Sequence, residues 1–188
     1  MTFLAKMKIT FVTSNPGKVR EFKQILGDKI ALNHVAQEYR ELRSDDPREI
    51  AAEAASRLAE KFGKAVVVED SGLFIPALND FPGTCSSYIH KRIGLKGILK
   101  LMSGVKDRRC FYRSAVGYCE PGKKPVNFLG EEKGTIAAEI RGSSGFGHDP
   151  VFIPDGSPKT YGEMENCEEL KKFRRIAVGK LLNYLKTE

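Results

Sequence analysis

One segment constrains the fold of this chain more than any other: a run of β-branched residues followed at once by two acids and a turn-forming pair. The segment, Val66–Leu73, reads Val-Val-Val-Glu-Asp-Ser-Gly-Leu. A short valine-rich run is typical of a central strand that is buried on both faces. We therefore expect a strand at Ala65–Glu69, followed by a turn at Ser71 and Gly72.

The two acids, Glu69 and Asp70, place negative charge at the edge of a packed core, where a carboxylate is costly unless a positive group pairs with it. In α/β proteins the carboxyl end of a buried strand is also where ligands bind. The alternative is that these acids cap the following turn through side-chain hydrogen bonds to the backbone. The segment alone leaves both interpretations open.

Strands and helices alternate around this segment, which predicts an α/β fold. Before it we expect, in order, strand Lys8–Val12, a helix opened by Asn15 as N-cap and Pro16, strand Ile30–Val35, and a helix from the N-cap Asp46 to Gly63. After it we expect a helix around Leu95–Met102, antiparallel pieces at Cys110–Cys119, Pro125–Leu129 and Thr135–Ile140, and a final helix, Glu168–Leu185, that buries Leu170, Phe173, Ala177, Leu181 and Leu185. No long linker interrupts these elements, so residues 1–188 are expected to form a single domain.

Composition narrows the class of protein. The chain has 41% hydrophobic and 29% charged residues, which is ordinary for a globular protein. Its net charge of +7 favours an anionic ligand. Lysine and arginine are scattered, so a nucleic-acid partner is the less favoured interpretation. Four cysteines without CxxC spacing support neither a zinc site nor a disulfide framework.

The N-terminus carries no targeting signal that we recognise. Met1–Lys8 is too short and too lysine-rich for a signal peptide, and the chain holds no apolar run long enough for a membrane span. We therefore expect a cytoplasmic protein without a membrane partner. Because Met7 directly precedes the first strand, Met1–Lys6 is expected to be a dispensable extension.

The first loop is a candidate phosphate site. A turn that opens a helix directs backbone N–H groups and the positive end of the helix dipole at one point. Ser14 and Asn15 add side-chain donors, and Lys18 adds a full charge. The spacing is not that of a Walker A loop. An ordinary capped helix carries similar residues, so this loop alone does not distinguish a phosphate site from a helix cap.

Carboxylates form the second candidate group. Glu41, Glu69 and Asp70 are suited to hold Mg²⁺, which prefers carboxylate and phosphate oxygens. A carboxylate beside the attacking water also serves as a general base. Glu41 has a simpler interpretation, because it lies between Arg40 and Arg43 and is expected to be solvated there.

The third candidate is the glycine-rich segment Ser144–Pro150. Glycines on both sides of Phe146 leave its ring accessible, as stacking on a base requires, and Asp149 is able to accept hydrogen bonds from base N–H groups. The alternative is a surface loop whose Phe146 packs inward. His148 is expected to be a neighbour in this loop, since three scattered histidines do not indicate a metal cluster.

Taken together and in this order, these residues resemble the inosine triphosphate pyrophosphatase family. The matching segments are Thr13–Lys18, Glu69–Leu73, Ala77–Thr84, Gly145–Pro150 and Thr160–Met164. The resemblance implies an elongated, two-lobed α/β fold around a mixed β-sheet with a central cleft. It also implies homodimers and Mg²⁺-dependent hydrolysis of non-standard purine nucleoside triphosphates such as ITP, dITP and XTP to the monophosphate and pyrophosphate.

The resemblance further implies roles for individual residues. Asp70 would be the catalytic base and, with Glu41, a metal ligand. The substrate would be bound by Thr13, Ser14, Asn15, Lys18, Glu69, Ser71, Gly72, Phe146, Gly147, His148, Asp149, Lys172, Arg174 and Arg175. Among these, Ser14, Asn15 and Lys18 would hold the triphosphate, Phe146 would stack on the purine, and Asp149 would read its edge.

The chain departs from the family pattern in its final helix. Where the family has a Ser-His-Arg triplet, Phe173 replaces the histidine and Arg174 takes the arginine position, with Lys171 or Lys172 and Arg175 as alternative donors. His148 replaces the usual bulky aromatic residue of the glycine-rich loop. Removing a base-contacting donor relaxes discrimination between bases. Two interpretations therefore stay open: a working pyrophosphatase with altered base preference, or a nucleotide-binding relative with weakened catalysis.

Overall fold

The computed structural model describes residues 7–27 and 30–187, and in this part of the chain seven strands form one mixed sheet. The strands are β1 (Met7–Val12), β2 (Ile30–Val35), β3 (Val66–Ile75), β4 (Phe81–Gly83), β5 (Arg109–Cys119), β6 (Val126–Ile136) and β7 (Phe152–Pro154). Their order is β2-β1-β3-β5-β6-β7, with β4 paired to β3. The pairs of β1 with β2 and β3 are parallel and the others antiparallel, which confirms the predicted mixed α/β class. The extension Met1–Lys6 lies outside the described residues.

The helices are α1 (Pro16–Leu26), α2 (Pro47–Phe62), α3 (Ser86–Leu101), α4 (Cys167–Leu170) and α5 (Lys172–Thr187). The predicted starts of α1 and α2 are confirmed, whereas α3 begins at Ser86, well before the predicted Leu95. The Asn15 side chain caps α1, and the Asp46 side chain accepts from the backbone N–H of Arg48 at the start of α2. No helix in the described ranges is long and apolar enough to cross a membrane.

Strand β3 continues past the acids, so the predicted turn at Ser71 and Gly72 is wrong. Its pairing with β5 runs without a break from Val66 opposite Cys119 to Phe74 opposite Phe111. Gly72 is required there for packing rather than for a turn, because a Cβ at this position would collide with the carbonyl group of Gly83. The acids therefore lie in the middle of a strand instead of at its end.

Two further sequence predictions are corrected at the C-terminal half. The piece predicted at Pro125–Leu129 and the first two residues of the piece predicted at Thr135–Ile140 belong to one strand, β6, and residues 137–140 are not in a strand. Gly130 marks no turn; it allows the α5 backbone to pack directly on the sheet. The final helix is interrupted at Lys171, which has extended backbone between α4 and α5. Leu170, which was expected to be buried, is 51% exposed because it precedes this break.

The core consists of three clusters placed around the middle of β3. One lies between one face of the sheet and helices α1 and α5, and includes Phe11, Phe22 and Leu181. A second lies on the other face under the alanine-rich side of α2. The third surrounds the far half of β3 and includes Leu73 and Phe173. This arrangement leaves the middle of β3 at the floor of a cleft.

Candidate active site

A cleft of about 650 Å³ opens above the middle of β3, within the size range of small-ligand sites. Its walls come from the first loop, the start of α3, the glycine-rich loop and the start of α5. The predicted site residues that line it are Thr13, Ser14, Asn15, Lys18, Glu41, Asp70, Ser71, Gly72, Phe146, Gly147, His148, Asp149 and Arg174. The fold therefore brings together predicted site residues that are up to 161 positions apart in the sequence, from Thr13 to Arg174. Glu69, Lys172 and Arg175 do not line the cleft.

Glu69 is buried among cations of its own chain. Its carboxylate lies 2.8 Å from Lys18 Nζ and 3.0 Å from Arg174 Nε, and it accepts a hydrogen bond of 2.5 Å from Ser114 Oγ. These contacts offset the cost of burying the charge. Glu69 thus holds two cations of the site in place instead of facing a ligand.

Asp70 points to the opposite side of the strand, because successive side chains alternate. It is 6% exposed, and its Oδ2 atom is buried without a hydrogen-bond partner. Burial raises the pKa of this carboxyl to about 7; Lys18 opposes the shift, while Glu41 and Glu69 add to it. An unpaired carboxylate oxygen facing a cleft is suited to bind a cation and to accept a proton.

Glu41 contributes a second negative charge to the same side. It is exposed in the segment between β2 and α2 and lines the cleft. Burial and the charges of Glu41 and Asp70 raise the pKa of Tyr39 well above its ordinary range, which places the three groups near one another. Glu41 and Asp70 therefore bring two carboxylates to the cleft. Among the described residues, 7–27 and 30–187, no three His, Cys, Asp or Glu side chains group closely enough to hold a metal ion, so a divalent cation here would also need phosphate oxygens or waters as ligands.

The first loop offers side chains more than backbone groups. The Asn15 side chain already accepts the N–H groups of Gly17 at 2.9 Å and Lys18 at 3.3 Å. These amides are therefore satisfied by the helix cap rather than by an anion, contrary to the expectation for this loop. Ser14 is exposed, and the Lys18 ammonium lies 2.7 Å from the Glu69 carbonyl oxygen. The same ammonium group also pairs with the Glu69 carboxylate, so Ser14 is the exposed polar side chain of this loop.

The break before α5 places a cation inside the protein. Lys171 Nζ lies 2.7 Å from Glu21 Oε1 and 2.7 Å from Asp149 Oδ2. Arg174 pairs with Glu21 and Glu69 and donates to Ser71 Oγ at 3.1 Å. Burial lowers the pKa of Arg174 to about 9, which leaves it charged at neutral pH.

Glu21 was missed by the sequence analysis. It is 1% exposed on the side of α1 that also buries Val19, Phe22 and Leu26. An acid that falls on the apolar stripe of an amphipathic helix is the signal that would have identified it, because a buried carboxylate requires a partner.

The structure distinguishes the alternative lysine and arginine donors at the start of the final helix. Lys172 is exposed, and its backbone N–H donates to Glu132. Arg175 is also exposed and donates to the Glu169 carbonyl oxygen. Lys171 and Arg174, in contrast, line the cleft. The binding roles predicted for Lys172 and Arg175 therefore have no structural support.

The glycine-rich loop is held by Asp149. This carboxylate accepts hydrogen bonds from the Phe146 N–H at 2.7 Å and the Tyr112 hydroxyl at 3.1 Å. The half-buried Phe146 ring faces the cleft, with Lys171 Nζ 4.3 Å from its centroid. A Cβ on Gly17 would approach the ring to 2.7 Å, so a glycine is needed at that position in α1.

His148 is a buried residue of this loop and contacts His90, a residue of α3 that sequence analysis did not single out. The two rings are edge to face with centroids 5.0 Å apart. Burial lowers the pKa of His148 to about 3, so its ring is neutral at physiological pH. No local pattern marks His90, since only the tertiary fold brings α3 to the glycine-rich loop.

Comparison with known proteins supports the motif resemblance. The Ham1 family model matches residues 9–184. The chain is 51% identical over 170 residues to the dITP/XTP pyrophosphatase of Methanopyrus kandleri, covering 90% of each chain. It is 46% identical to the dITP/XTP pyrophosphatase of Pyrococcus horikoshii, covering 84% of this chain and 85% of that protein.

Solved structures share the fold. A HAM1 protein from Coxiella burnetii superposes with a TM-score of 0.82 at 25% identity, covering 97% of this chain and 100% of that one. The nucleoside-triphosphatase / dITP/XTP pyrophosphatase of Mycobacterium abscessus superposes with a TM-score of 0.72 at 29% identity, covering 96% and 98%. The resemblance inferred from the sequence motifs is confirmed, and the chain belongs to the Ham1 family.

Proposed function

We propose that this protein hydrolyses non-standard purine nucleoside triphosphates (ITP, dITP and XTP) to the monophosphate and pyrophosphate with the help of Mg²⁺, and so removes them from the nucleotide pool. The observation that carries the proposal is the unpaired Asp70 carboxylate at the floor of the cleft, beside Lys18. Its support is the family: curated relatives with 41–51% identity are named dITP/XTP pyrophosphatases.

Asp70 and Glu41 are the residues proposed to hold the metal. When bound, Mg²⁺ neutralises phosphate charge and lowers the pKa of a coordinated water. Asp70 is proposed to accept the proton of the attacking water through a carboxylate oxygen; burial raises its pKa, and a bound cation would lower it. The water oxygen bonds to the α-phosphorus, the bond from that phosphorus to the bridging oxygen breaks, and pyrophosphate leaves.

The walls of the cleft are proposed to orient the substrate. Thr13, Ser14, Asn15 and Lys18 border the floor at the Asp70 side and would position the triphosphate. Phe146, whose ring lies against Gly17 of α1, also lines the cleft and offers a ring on which a purine would stack. Arg174 fixes Ser71 and completes the positive surroundings of this end.

Three broader features belong to the same proposal. We propose that residues 1–188 work as one domain with two lobes around the cleft, and that two copies associate as a homodimer. We also propose that the protein acts in the cytoplasm, where nucleotide pools are used. A nucleic-acid partner is not part of the proposal, because the basic residues remain scattered along the sequence.

The second candidate function is that of a Ham1 protein with relaxed base selection or weakened catalysis. Phe173, which stands at the position of the family's histidine, is 4% exposed and packs in the core with Tyr112, so it offers no hydrogen bond to a base. This observation favours relaxed base selection, or a nucleotide-binding protein with weakened catalysis.

The decisive experiment measures pyrophosphate release from ITP, XTP, dITP, ATP and GTP with Mg²⁺. Wild type is compared with Asp70→Asn and with Asp155→Asn, the same chemical change at an exposed position. Release that favours ITP and XTP and is lost only in Asp70→Asn supports the proposal. Equal pyrophosphate release from all five nucleotides would indicate that the altered final helix has relaxed base specificity. Nucleotide binding without release above the Asp70→Asn level would overturn the enzymatic claim.

A further inference from the structure

Buried polar atoms without a hydrogen-bond partner lie at the cleft. In residues 7–27 and 30–187, the buried side-chain nitrogen and oxygen atoms without a hydrogen-bond partner are Asp70 Oδ2, His90 Nδ1 and His148 Nε2. All three side chains line the cleft. A buried polar atom without a partner is costly, so each calls for a ligand. Asp70 is explained by the proposed chemistry, but the two imidazoles are not.

The two histidines reach the same point from separate walls. His148 lies in the glycine-rich loop between Gly147 and Asp149, and is 4% exposed. His90 projects from α3 and meets it edge to face. A nitrogen of each ring is left without a partner, so the pair offers two hydrogen-bonding positions from two structural elements.

The surroundings favour an uncharged ligand group at this position. Burial keeps the His148 ring neutral, and a neutral imidazole carries one donor and one acceptor nitrogen rather than a positive charge. The cleft also holds full charges suited to phosphate, among them Lys18, which lowers the pKa of Asp70, and Lys91, which follows His90 in the sequence. A heterocyclic base, with donors and acceptors along one edge, matches the histidine pair better than a phosphate does.

The neighbouring polar groups are already engaged. Lys171 contacts Glu21, Asp149 and the ring of Phe146, which accounts for the three donors of an ammonium group. Asp149 accepts from three groups of the protein. Hydrogen-bonding capacity that no protein group uses therefore lies with the histidines more than with these charged residues.

We propose that His90 and His148 hydrogen-bond the oxo-substituted edge of the purine base and thereby determine base preference. This inference rests on the proposed function and assigns its base-reading groups. A 6-oxopurine presents the carbonyl oxygen at position 6 beside the N–H at position 1. One imidazole donates to the oxygen and the other accepts from the N–H, each in the matching tautomer.

The test compares substrates that differ only at this edge. We would measure kcat/KM for ITP, for dITP and for the triphosphate of unsubstituted purine riboside, which lacks both the oxygen at position 6 and the N–H at position 1. His148→Leu and His90→Leu are each expected to lower kcat/KM for ITP and dITP about tenfold, the worth of one neutral hydrogen bond. The value for the unsubstituted analogue should change less than twofold.

Conservative variants serve as rescue controls. The amide nitrogen of glutamine approximates Nε2 and that of asparagine approximates Nδ1, so His148→Gln and His90→Asn should retain most of the preference for ITP. Tyr88→Phe, on the exposed side of the same helix α3, should leave all values unchanged. Thermal unfolding of each variant identifies any that has lost its fold.

The possible outcomes separate the inference from the proposed function. Equal losses for all three nucleotides would indicate a structural role and overturn the inference. A loss for ITP but not dITP would indicate contact with the ribose 2′-hydroxyl and also overturn it. If wild type hydrolyses nothing, the proposed function fails. The same ratios are then measured as Kd values by titration calorimetry, with inorganic tripolyphosphate as a base-free probe whose affinity the variants should not alter.

Discussion

Glu69 and Asp70 are sequence neighbours on one strand, both nearly inaccessible, yet their surroundings differ completely. Glu69 faces α1 and α5, which supply Lys18 and Arg174, and both of its oxygens are paired. Asp70 faces the other side, where one of its oxygens has no partner. Burial alone therefore does not identify a reactive carboxylate; the partners that the fold supplies decide whether it is structural or available.

The difference originates in the helices that cover the two faces. The face under α2 is packed with small apolar residues such as Ala51 and Ala54. Gly117 of β5 lets the α2 backbone approach so closely that a Cβ there would collide with Ala51. This side supplies close packing; Lys18 lowers the pKa of Asp70 from a distance, but the Oδ2 atom of Asp70 has no hydrogen-bond partner. The opposite side holds three carboxylates, Glu21, Glu69 and Asp149, among three cations.

The largest expected effect comes from breaking the paired side. Glu69→Gln leaves Arg174, which is 1% exposed, with one carboxylate instead of two. Removing one partner of a buried ion pair costs about 3–5 kcal/mol of unfolding free energy. Urea denaturation of the variant beside Glu53→Gln, an exposed i,i+4 pair on α2, measures the difference. Equal stability of the two variants would contradict the structural role of Glu69.

A smaller effect of opposite sign is expected on the unpaired side. Because the pKa of Asp70 is raised from 3.8 to about 7, the folded protein keeps a proton that the unfolded chain releases from about pH 4 upward. The stability from this carboxyl is therefore present below about pH 4 and lost as the pH rises through 7. Asp70→Asn, which has no charge to bury, should be more stable than wild type by roughly 1–3 kcal/mol at pH 8.

The measurement is urea denaturation at pH 4 and pH 8 in buffer with a chelator, so that no divalent cation stabilises the wild-type carboxylate. The two proteins should coincide at pH 4 and separate at pH 8. A wild type that is the more stable one at pH 8 would show that Asp70 has a partner in the folded protein.

The smallest effects are expected outside the cleft. Lys172 and Arg175 are exposed, so Lys172→Ala and Arg175→Ala should each change the unfolding free energy by less than about 0.5 kcal/mol. Pyrophosphate release from ITP should also remain within about twofold of wild type, since neither residue lines the cleft. A tenfold loss of pyrophosphate release in either variant would show that the substituted residue contributes to the active site.

Local signals in the sequence were sufficient for much of the fold. The caps Asn15 and Asp46 and the following prolines marked both helix starts because capping depends on adjacent residues. Ser71 and Gly72 misled the analysis for the opposite reason. A glycine required by a close approach of Gly83, a residue 11 positions away, looks the same in sequence as a glycine required by a turn.

The candidate site was predictable to the extent that motifs carried it. Asp70, Lys18 and Phe146 came from such motifs and line the cleft. Glu21 and His90 act through contacts with residues 150 and 58 positions away, respectively, so no local pattern announced them. Such residues become visible only once the strands and helices are packed.

The unbroken strand at the floor of the cleft has a consequence for motion. Residues 66–74 of β3 are bonded to β5 along their whole length, so the floor has no hinge of its own. Any opening or closing must come from the loops and helices that form the walls. We expect the backbone amides of the floor to be among the slowest to exchange with solvent. A bound ligand should slow amide exchange mainly in the first loop, the glycine-rich loop and the start of α3.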